Sequence, residues 1–325
     1  MRTNPTAVRD LQETVRLRKA IKKRRRSRLR QRMEHALFVI AAGALRLVPR
    51  GLAAALGRAA ARLFLTVAGS RRRILLENLA RAFPEKTRQE LAAIARASVV
   101  GFGAATMEFI ESPRFSREEI LVRVTLRGEE HLAAARARGK GVILLTAHFG
   151  NWEMAALATC LAVEPIALVV RPLDNPYLEE ELRLRRTRFG NWLIPKREAV
   201  REVMKAMRRN EMVALLIDQN VLASEAVFVP FFGRDAATTP SVALIQQRTG
   251  AAVVPLFTWP LGKGRYRLGF EPPILPEEFA RGENPRAERA RRATARYTEV
   301  VEEAIRKDPA AWLWIHNRWR TRPQA

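Results

Sequence analysis

The sequence predicts an α/β fold in which helices flank a central, mostly parallel sheet, with a helical part in front of it. From residue 139 onward, short apolar runs alternate with segments of helical pattern, and this alternation is typical of parallel sheets. The stretch before residue 112 shows helical patterning without strand-like runs. A length of 325 residues is enough for one large domain with a helical N-terminal extension.

Four helices are predicted in the N-terminal part, over 34–48, 52–67, 70–82 and 87–111. Pro84 separates the third from the fourth, because proline lacks the amide proton that a helix interior needs. Ser112-Pro113 ends this helical block, and a further helix over 127–138 is stopped by Gly139. We place the boundary with the α/β part near 110–125 and expect the two parts to pack as one unit.

Six strands are predicted in the C-terminal part, at 141–146, 165–170, 212–217, 252–257, 265–270 and 312–315. Helices fall between most of them, at 151–162, 176–188, 197–209, 239–249 and 284–307. The chain therefore divides into a basic arm (1–32) that we expect to be disordered, amphipathic or apolar helices (33–69) that we expect to associate with a membrane, and an α/β domain (70–323).

The charge of the chain requires an anionic partner. Lys and Arg outnumber Asp and Glu by 58 to 33, a net charge of +25, and residues 1–32 hold thirteen of the basic residues against Asp10 and Glu13. Nucleic acid, an anionic membrane and an acidic protein or ligand all fit such a charge. The sequence has no nucleic-acid recognition motif and only three tyrosines for base stacking, which disfavours a nucleic-acid-binding protein.

Cysteine and histidine usage limits the chemistry. The single cysteine, Cys160, excludes an internal disulfide and favours a reducing compartment. The four histidines are scattered with no second ligand at metal spacing, so we expect neither a metal nor another cofactor.

Two N-terminal stretches suggest attachment to a membrane. Residues 36–48 are apolar apart from Arg46, and the stretch 52–68 carries Arg58 and Arg62 on one helical face. With the basic arm they resemble an interfacial anchor on the cytoplasmic face of an anionic membrane. Two alternatives stay open: a pair of soluble amphipathic helices, or a single tilted span over 33–49.

A histidine and a glutamate stand directly after the apolar run 141–146. His148 is predicted to lie in the turn at the strand end, and Glu153 in the first turn of a helix that Asn151 can cap. A histidine oriented by a carboxylate is a general base, and free helix N-terminal amides can stabilise a developing negative charge. The alternative is a histidine that caps the helix and a glutamate that complements its dipole.

Further polar residues follow other predicted strands. Arg171 comes after the strand 165–170, and four more arginines follow within 182–190, the last of them Arg188. An arginine at a strand end can grip a phosphate, although a solvent-facing turn explains it equally. Asp218 lies at the end of the strand 212–217. Open α/β sheets place their ligands at the carboxyl ends of their strands, which favours a site here.

The ordered set of these motifs resembles a known family. The segments 148–153, 171–176, 217–220, 227–233 and 312–323 are collinear with motifs of the bacterial late acyltransferases of lipid A biosynthesis, part of the lysophospholipid acyltransferase superfamily. The resemblance covers roughly residues 70–323. The superfamily's commoner pair has Asp where this chain has Glu153, and glutamate is the variant of the lipid A branch. The long basic arm and the weak N-terminal anchor depart from the family pattern.

The resemblance implies transfer of a fatty acyl chain from acyl carrier protein, or acyl-CoA, to a hydroxyl of a glycolipid, a lipid A precursor, at the cytoplasmic face of the inner membrane. It makes His148 and Glu153 the catalytic pair and places Arg171, Arg188 and Asp218, which we group with Asn151 as substrate-binding candidates, along the site. His148 would take the proton of the attacking alcohol while Glu153 holds its tautomer. Another glycolipid, a lysophospholipid or an aminolipid stays open as the acceptor.

Overall fold

The computed structural model of the protein describes residues 28–280 and 285–323. Its N-terminal part holds four helices: α1 (Arg28–Arg46), α2 (Arg50–Val67), α3 (Gly69–Ala82) and α4 (Arg88–Glu111). All four were predicted, within a few residues at their ends except at the start of α1. Of the arm that we expected to be disordered, residues 28–32 form the first turns of α1, and the remainder lies outside the described residues.

A seven-stranded sheet forms the centre of the molecule. Its strands run β1-β9-β8-β2-β5-β3-β4 across the sheet. Every neighbouring pair is parallel except β8 and β9, so the predicted α/β class with a mostly parallel sheet is confirmed. The strands are β1 (Val124–Arg127), β2 (Val142–Thr146), β3 (Ala167–Val170), β4 (Trp192–Pro195), β5 (Met212–Leu216), β8 (Ala252–Pro260) and β9 (Tyr266–Phe270). A separate antiparallel hairpin pairs β6 (Val227–Phe231) with β7 (Arg234–Thr238).

Helices cover both faces of the sheet. They are α5 (Arg117–Arg123), α6 (Glu129–Ala137), α7 (Trp152–Ala162), α8 (Pro176–Thr187), α9 (Ala199–Arg208), α10 (Ser241–Thr249) and α11 (Arg286–Lys307). One buried cluster joins the sheet to α3, α4, α9, α10 and α11, and a second joins its other face to α5, α6 and α7. Because β2 is covered on both faces, all five of its residues are buried, which explains its unbroken apolar run.

Some elements differ from the prediction. The segment 312–315 is not a strand: Trp312 forms a single bridge with Phe149, and the chain then turns. Four features were not predicted from the sequence: β1, β4, the β6–β7 hairpin and α5. These elements have only four to seven residues each, too few for a hydrophobic period to show.

Helices α2 and α4 cross at small residues. A Cβ on Gly103 would lie 2.6 Å from the Cβ of Ala61 and 2.7 Å from the carbonyl oxygen of Gly57, so glycine is required at the crossing. Away from this contact, α1, α2 and the turn between them expose ten large apolar side chains: Leu29, Met33, Leu37, Val39, Ile40, Leu47, Leu52, Leu56, Leu63 and Val67.

In the described part of the chain, one helix and one bent pair of helices have the length and composition of a membrane span. Within the described residues, one helix, Arg88–Arg114, is long and apolar enough, and a third of its most apolar window is buried in the protein. The helices Gly51–Val67 and Gly69–Ala82 pass only as a pair, bent by 93°. Buried core helices of soluble proteins pass the same test. Neither segment includes residues 33–49, for which the sequence allowed a single tilted membrane span.

Candidate active site

His148 lies in the tight turn that follows β2. Gly150 makes this turn possible: its φ of +58° is in the left-handed region, and a Cβ there would lie 1.8 Å from the carbonyl oxygen of Thr258. Asn151 then caps α7, its side-chain oxygen accepting the Met154 amide at 3.0 Å. The strand, turn and capped helix are those predicted from the sequence, and they place the imidazole at the carboxyl edge of the sheet.

The carboxylate that holds His148 is Asp218, on the turn after β5. His148 Nδ1 lies 2.9 Å from Asp218 Oδ1, and the His148 backbone amide donates to Oδ2 at 2.9 Å. The indole of Trp312 also donates to Oδ2, at 2.8 Å. A carboxylate with three such partners fixes the proton on Nδ1 and leaves Nε2 as the basic nitrogen.

The electrostatics of this pair suit a general base. Burial lowers the pKa of His148, but the neighbouring Asp218 carboxylate outweighs burial and raises that pKa above its ordinary value. Burial opposes ionisation of Asp218, and the imidazole with the hydrogen bonds to Oδ1 and Oδ2 outweighs it, holding the pKa of that carboxyl to about 2. Asp218 is therefore an anion throughout the physiological range.

Glu153 has a different partner from the one expected. Its carboxylate forms a two-pronged ion pair with Arg186 of α8, with Nη2 to Oε1 at 2.6 Å and Nε to Oε2 at 3.0 Å. The Nδ1 position of His148 that Glu153 was expected to fill belongs to Asp218. Glu153 still acts on the imidazole through space, since its charge also raises the pKa of His148. The physical reason is direction: the first turn of α7 points Glu153 towards α8.

Two other predicted residues make contacts within the protein. The Arg188 guanidinium donates to the carbonyl oxygens of Ser112 and Phe115, at 2.8 and 2.7 Å, and so ties α8 to the end of α4. Asn151 is buried, and besides capping α7 its side-chain nitrogen donates to Glu108 Oε2 at 2.9 Å. This geometry supports structural roles for both residues, and the substrate contacts expected of them stay predictions.

Arg171 lies where the sequence placed it, at the carboxyl end of β3. Because β3 pairs in parallel with β4, the residue that follows β4, Lys196, lies beside Arg171, and the Lys196 backbone amide donates to the carbonyl of Val170 at 2.7 Å. Within the part of the chain that the structure describes, neither cationic side chain has an acidic partner. Sequence reasoning missed Lys196, because the adjacency of β3 and β4 does not show in the chain.

Two cavities meet at His148 and Trp152, whose rings lie 4.9 Å apart. The larger, of about 680 Å³, runs between α2 and α4, and its walls there carry mostly small side chains. The smaller, of about 430 Å³, lies over the ends of β3 and β5 and is lined by Arg171, Arg186 and Lys196. The His148 ring therefore faces two cavities, one that runs along small side chains of α2 and α4 and one whose largely apolar wall also carries three cations.

The C-terminal segment closes the site from one side. The Leu313 amide donates to the His148 carbonyl at 3.1 Å, and the Gly150 amide donates to the Ala311 carbonyl at 2.7 Å. His316 Nε2 accepts the Asn220 amide at 2.9 Å, and burial lowers the pKa of His316, so this ring is a neutral structural acceptor. Within residues 28–280 and 285–323, no three His, Cys, Asp or Glu side chains are grouped as metal ligands.

A histidine held by a buried carboxylate, beside cavities that can take a substrate, is the site of an enzyme that uses a general base. The comparison with protein families gives the particular class. The model of the bacterial lipid A biosynthesis acyltransferases matches residues 20–321, so the chain belongs to that family and is an acyltransferase. The resemblance seen in the sequence is thereby confirmed.

Individual relatives agree with the family. The lipid A biosynthesis lauroyltransferase of Escherichia coli is 27% identical over 83% of this chain and 85% of its own. The palmitoleoyltransferase of the same bacterium is 26% identical over 78% and 80%. A phosphatidylinositol mannoside acyltransferase of Mycobacterium tuberculosis is 27% identical over 69% of each chain. The solved 1-acyl-sn-glycerophosphate acyltransferase PlsC of Thermotoga maritima covers 82% of this chain and 100% of its own at 18% identity, with a TM-score of 0.38 that supports no structural conclusion.

Proposed function

We propose that the protein moves a fatty acyl chain from a thioester, carried by acyl carrier protein or by coenzyme A, to a hydroxyl of a lipid A precursor. The observation that carries the proposal is the hydrogen bond of 2.9 Å between His148 and Asp218, at the meeting point of the two cavities. It supplies a base at the place where a hydrocarbon tail and an anionic head group can approach each other.

The reaction needs one base and no covalent enzyme intermediate. His148 Nε2 takes the proton of the acceptor hydroxyl as its oxygen bonds to the thioester carbonyl carbon. The C–S bond then breaks, and the leaving thiolate receives the proton from His148, so protons and electron pairs balance. Gln219 Nε2 lies 3.2 Å from His148 Nε2. The acceptor hydroxyl would replace this exposed amide as the partner of Nε2.

The oxyanion that forms on the thioester carbonyl needs hydrogen-bond donors. The first-turn amides of Trp152 and Glu153 face no acceptor among the described residues, and they stand at the N-terminus of α7 directly after the histidine turn. Free amides there carry the positive end of the helix dipole. We propose them as the oxyanion donors.

The ion pair between Glu153 and Arg186 has a supporting role in this proposal. Both side chains are largely shielded from water, with 13% and 18% of their surfaces exposed. Glu153 adds negative charge close to His148 and so favours the imidazolium that forms during transfer. Arg186 holds that carboxylate away from the Nδ1 position. Glu153 therefore acts on the base through the field, and Asp218 acts on it by contact.

The cations of the smaller cavity indicate the chemistry of the acceptor. Arg171 and Lys196 suit a ligand with phosphate groups, and a lipid A precursor has them. A second acceptor class, a glycosylated phospholipid, is favoured by the similarity to the phosphatidylinositol mannoside enzyme. Product mass spectrometry separates the two: the purified protein is offered one thioester donor with each acceptor in turn, and the acylated product is identified.

The exposed apolar side chains of α1 and α2 support attachment to the cytoplasmic face of the inner membrane. They lie beside Arg58 and Arg62, so apolar burial and charge act on the same surface. The larger cavity opens between α2 and α4. Attachment through α1 and α2 would bring that opening to the bilayer in which lipid substrates reside.

A further inference from the structure

A buried glutamate of α4, Glu108, takes no part in the proton transfer of the proposed function. The residue is 9% exposed, and its Oε2 atom accepts two hydrogen bonds from other elements. The Tyr266 hydroxyl of β9 donates at 2.6 Å, and the Asn151 side-chain nitrogen donates at 2.9 Å. The same nitrogen lies 3.3 Å from the Tyr266 hydroxyl oxygen. We call these three buried residues, Glu108, Asn151 and Tyr266, the cap triad.

The burial of this carboxylate lowers stability. Burial raises the pKa of Glu108 above its ordinary value, and the negative charge of Glu111 raises it further, while the triad's hydrogen bonds and the charge of Arg123 only partly oppose this. A carboxyl whose pKa is higher in the folded protein disfavours folding when it is ionised. Glu108 also lines the larger cavity together with His148. A buried group with a perturbed pKa beside a cavity is a candidate for a functional role.

The cap triad determines which end of the Asn151 side-chain amide faces α7. An asparagine side chain has one oxygen that accepts hydrogen bonds and one nitrogen that donates them. Because the nitrogen faces Glu108 and Tyr266, the oxygen is left to accept the Met154 amide at 3.0 Å. In the opposite orientation the Asn151 oxygen would face the Glu108 carboxylate, and the nitrogen could not cap the helix. Glu108 therefore fixes the orientation of the cap.

The position of the cap decides which helix amides remain available. A capping side chain accepts from the second or the third residue of a helix, which in α7 are Glu153 and Met154. The observed bond to Met154 leaves the Trp152 and Glu153 amides without an acceptor among the described residues. These two amides are the oxyanion donors of the proposed function. A cap that moved to Glu153 would occupy one of them.

We infer that Glu108 is a positioning residue for acyl transfer. It holds the Asn151 oxygen on the Met154 amide and thereby keeps the two preceding amides free for the oxyanion. The inference rests on the proposed function. In this role Glu108 touches neither the substrate nor the base, since it acts through Asn151 and the N-terminus of α7. Its removal should therefore lower kcat and leave the KM values of donor and acceptor in place.

Four variants test the pattern of donors and acceptors in the cap triad. Glu108→Ala removes the acceptor, and we expect kcat to fall roughly 10- to 100-fold, the effect of a displaced catalytic group. Glu108→Gln keeps an oxygen for the Asn151 nitrogen and should retain most of the activity. Asn151→Asp still supplies a capping oxygen but sets a second carboxylate against Glu108, so kcat should fall as in Glu108→Ala. Asn151→Asp with Glu108→Gln places a donor opposite an acceptor again and should regain most of the lost activity.

Glu111→Gln is the matched control. Glu111 also lies on α4, is 5% exposed and pairs with Arg114 at 2.8 Å, so the variant removes the same charge from a comparably buried site outside the triad. Kinetics are measured well below the melting temperature of each variant, so that unfolded protein does not lower kcat. The pKa of the His148 ring, followed by NMR, should change no more in Glu108→Ala than in the control, because Asp218 holds the base.

The NMR signal of the Met154 backbone amide reports the cap without turnover. It should shift further in Glu108→Ala than in Glu108→Gln or Glu111→Gln. An unmoved Met154 signal, an unchanged kcat in Glu108→Ala, an equal fall in the control, or a double variant no better than Asn151→Asp would each overturn the inference. If Glu108→Ala does not fold, Asn151→Asp with and without Glu108→Gln decides it. If the unaltered protein acylates no acceptor, the proposed function is wrong, and the Met154 signal still decides the position of the cap.

Discussion

The carboxyl edge of the sheet and the N-terminal helices differ in how far contacts within the protein cover their side chains. At the sheet edge, Asp218 is buried, and both of its oxygens are bonded to neighbours of fixed position. Helices α1 and α2 instead leave leucines more than half exposed, such as Leu37 at 66% and Leu63 at 62%. The polar groups at the sheet edge are satisfied by contacts within the protein, which suits this region to chemistry. No other described residue covers the apolar side chains of α1 and α2, and we propose a bilayer as their partner.

The largest expected effect comes from a substitution at the sheet edge. His148→Ala removes the base, so we expect kcat to fall about 10²–10⁴-fold, the usual contribution of a general base. The fold should survive, because the ring lies in a turn at the cavity wall. Product formation by mass spectrometry and a thermal melt are measured together. A well-folded variant with near-normal turnover would remove His148 from the mechanism.

Asp218→Asn changes the same region by one atom. The amide would place a donor opposite Nδ1 and so favour the wrong tautomer, and we expect kcat to fall about 10²–10⁴-fold. The pH profile of kcat reports the direction in which the pKa of His148 changes. Transfer needs neutral His148, so activity is lost as pH falls through its raised pKa. Without the carboxylate, burial dominates and lowers that pKa, so the acid limb of kcat should move to lower pH. An unmoved limb would contradict the pairing.

Glu153→Gln sharpens the comparison between the two carboxylates of the site. It removes a charge that acts on His148 through space, so we expect kcat to fall about tenfold. This fall corresponds to a rise of ~1.4 kcal/mol in the activation free energy. Arg186 would lose its counter-charge, and the melting temperature should fall as well. A loss larger than that of Asp218→Asn would support the predicted role of Glu153 as the carboxylate that orients the imidazole.

Arg186 and Arg188 lie two positions apart at the end of α8, and their substitutions can be compared. Arg186→Lys disturbs the site, whereas Arg188→Ala removes hydrogen bonds to the Ser112 and Phe115 carbonyls and should cost about 1 kcal/mol of unfolding free energy. We expect Arg188→Ala to leave the acceptor KM in place, and Arg171→Ala to raise it more than it lowers kcat. Chemical denaturation and steady-state kinetics on the three variants measure both effects.

The smallest effect tests the exposed helices. Leu52→Ser with Leu56→Ser should weaken co-sedimentation with anionic vesicles by removing about 1 kcal/mol of apolar burial per side chain. Leu244→Ser, on an exposed site of α10, is the control. Transfer from a soluble donor to a detergent-dispersed acceptor should continue in the double variant. Equal sedimentation of double variant and control would show that α2 does not bind the bilayer.

Much of the fold and part of the site could be predicted from local patterns. Unbroken apolar runs marked β2 and β5, and a capping asparagine after a glycine turn placed His148 at a strand end. What local patterns could not give was contact between distant segments. The indole of Trp312, 94 residues from Asp218 in the chain, completes the carboxylate site, and no nearby residue signals it.

The pairing of His148 with Asp218 did have a signal. In the parallel register Thr146 of β2 lies opposite Leu216 of β5, and each polar residue stands two positions beyond its strand. Knowing that β2 and β5 are neighbours would therefore have placed His148 beside Asp218. Sequence order alone favoured the nearer carboxylate, Glu153. Arg186, and not Arg188, is the arginine that pairs with Glu153, because residues two apart on a helix point to nearly opposite sides.

The most direct test of the central claim is an NMR titration of the His148 ring in the unaltered protein, Asp218→Asn and Glu153→Gln. Assignment comes from the signal that disappears in a His148 variant. We expect a pKa above the ordinary 6.5 in the unaltered protein. It should fall strongly in Asp218→Asn and only slightly in Glu153→Gln. A larger fall in Glu153→Gln, or no fall in Asp218→Asn, would contradict the claim that Asp218 holds the base.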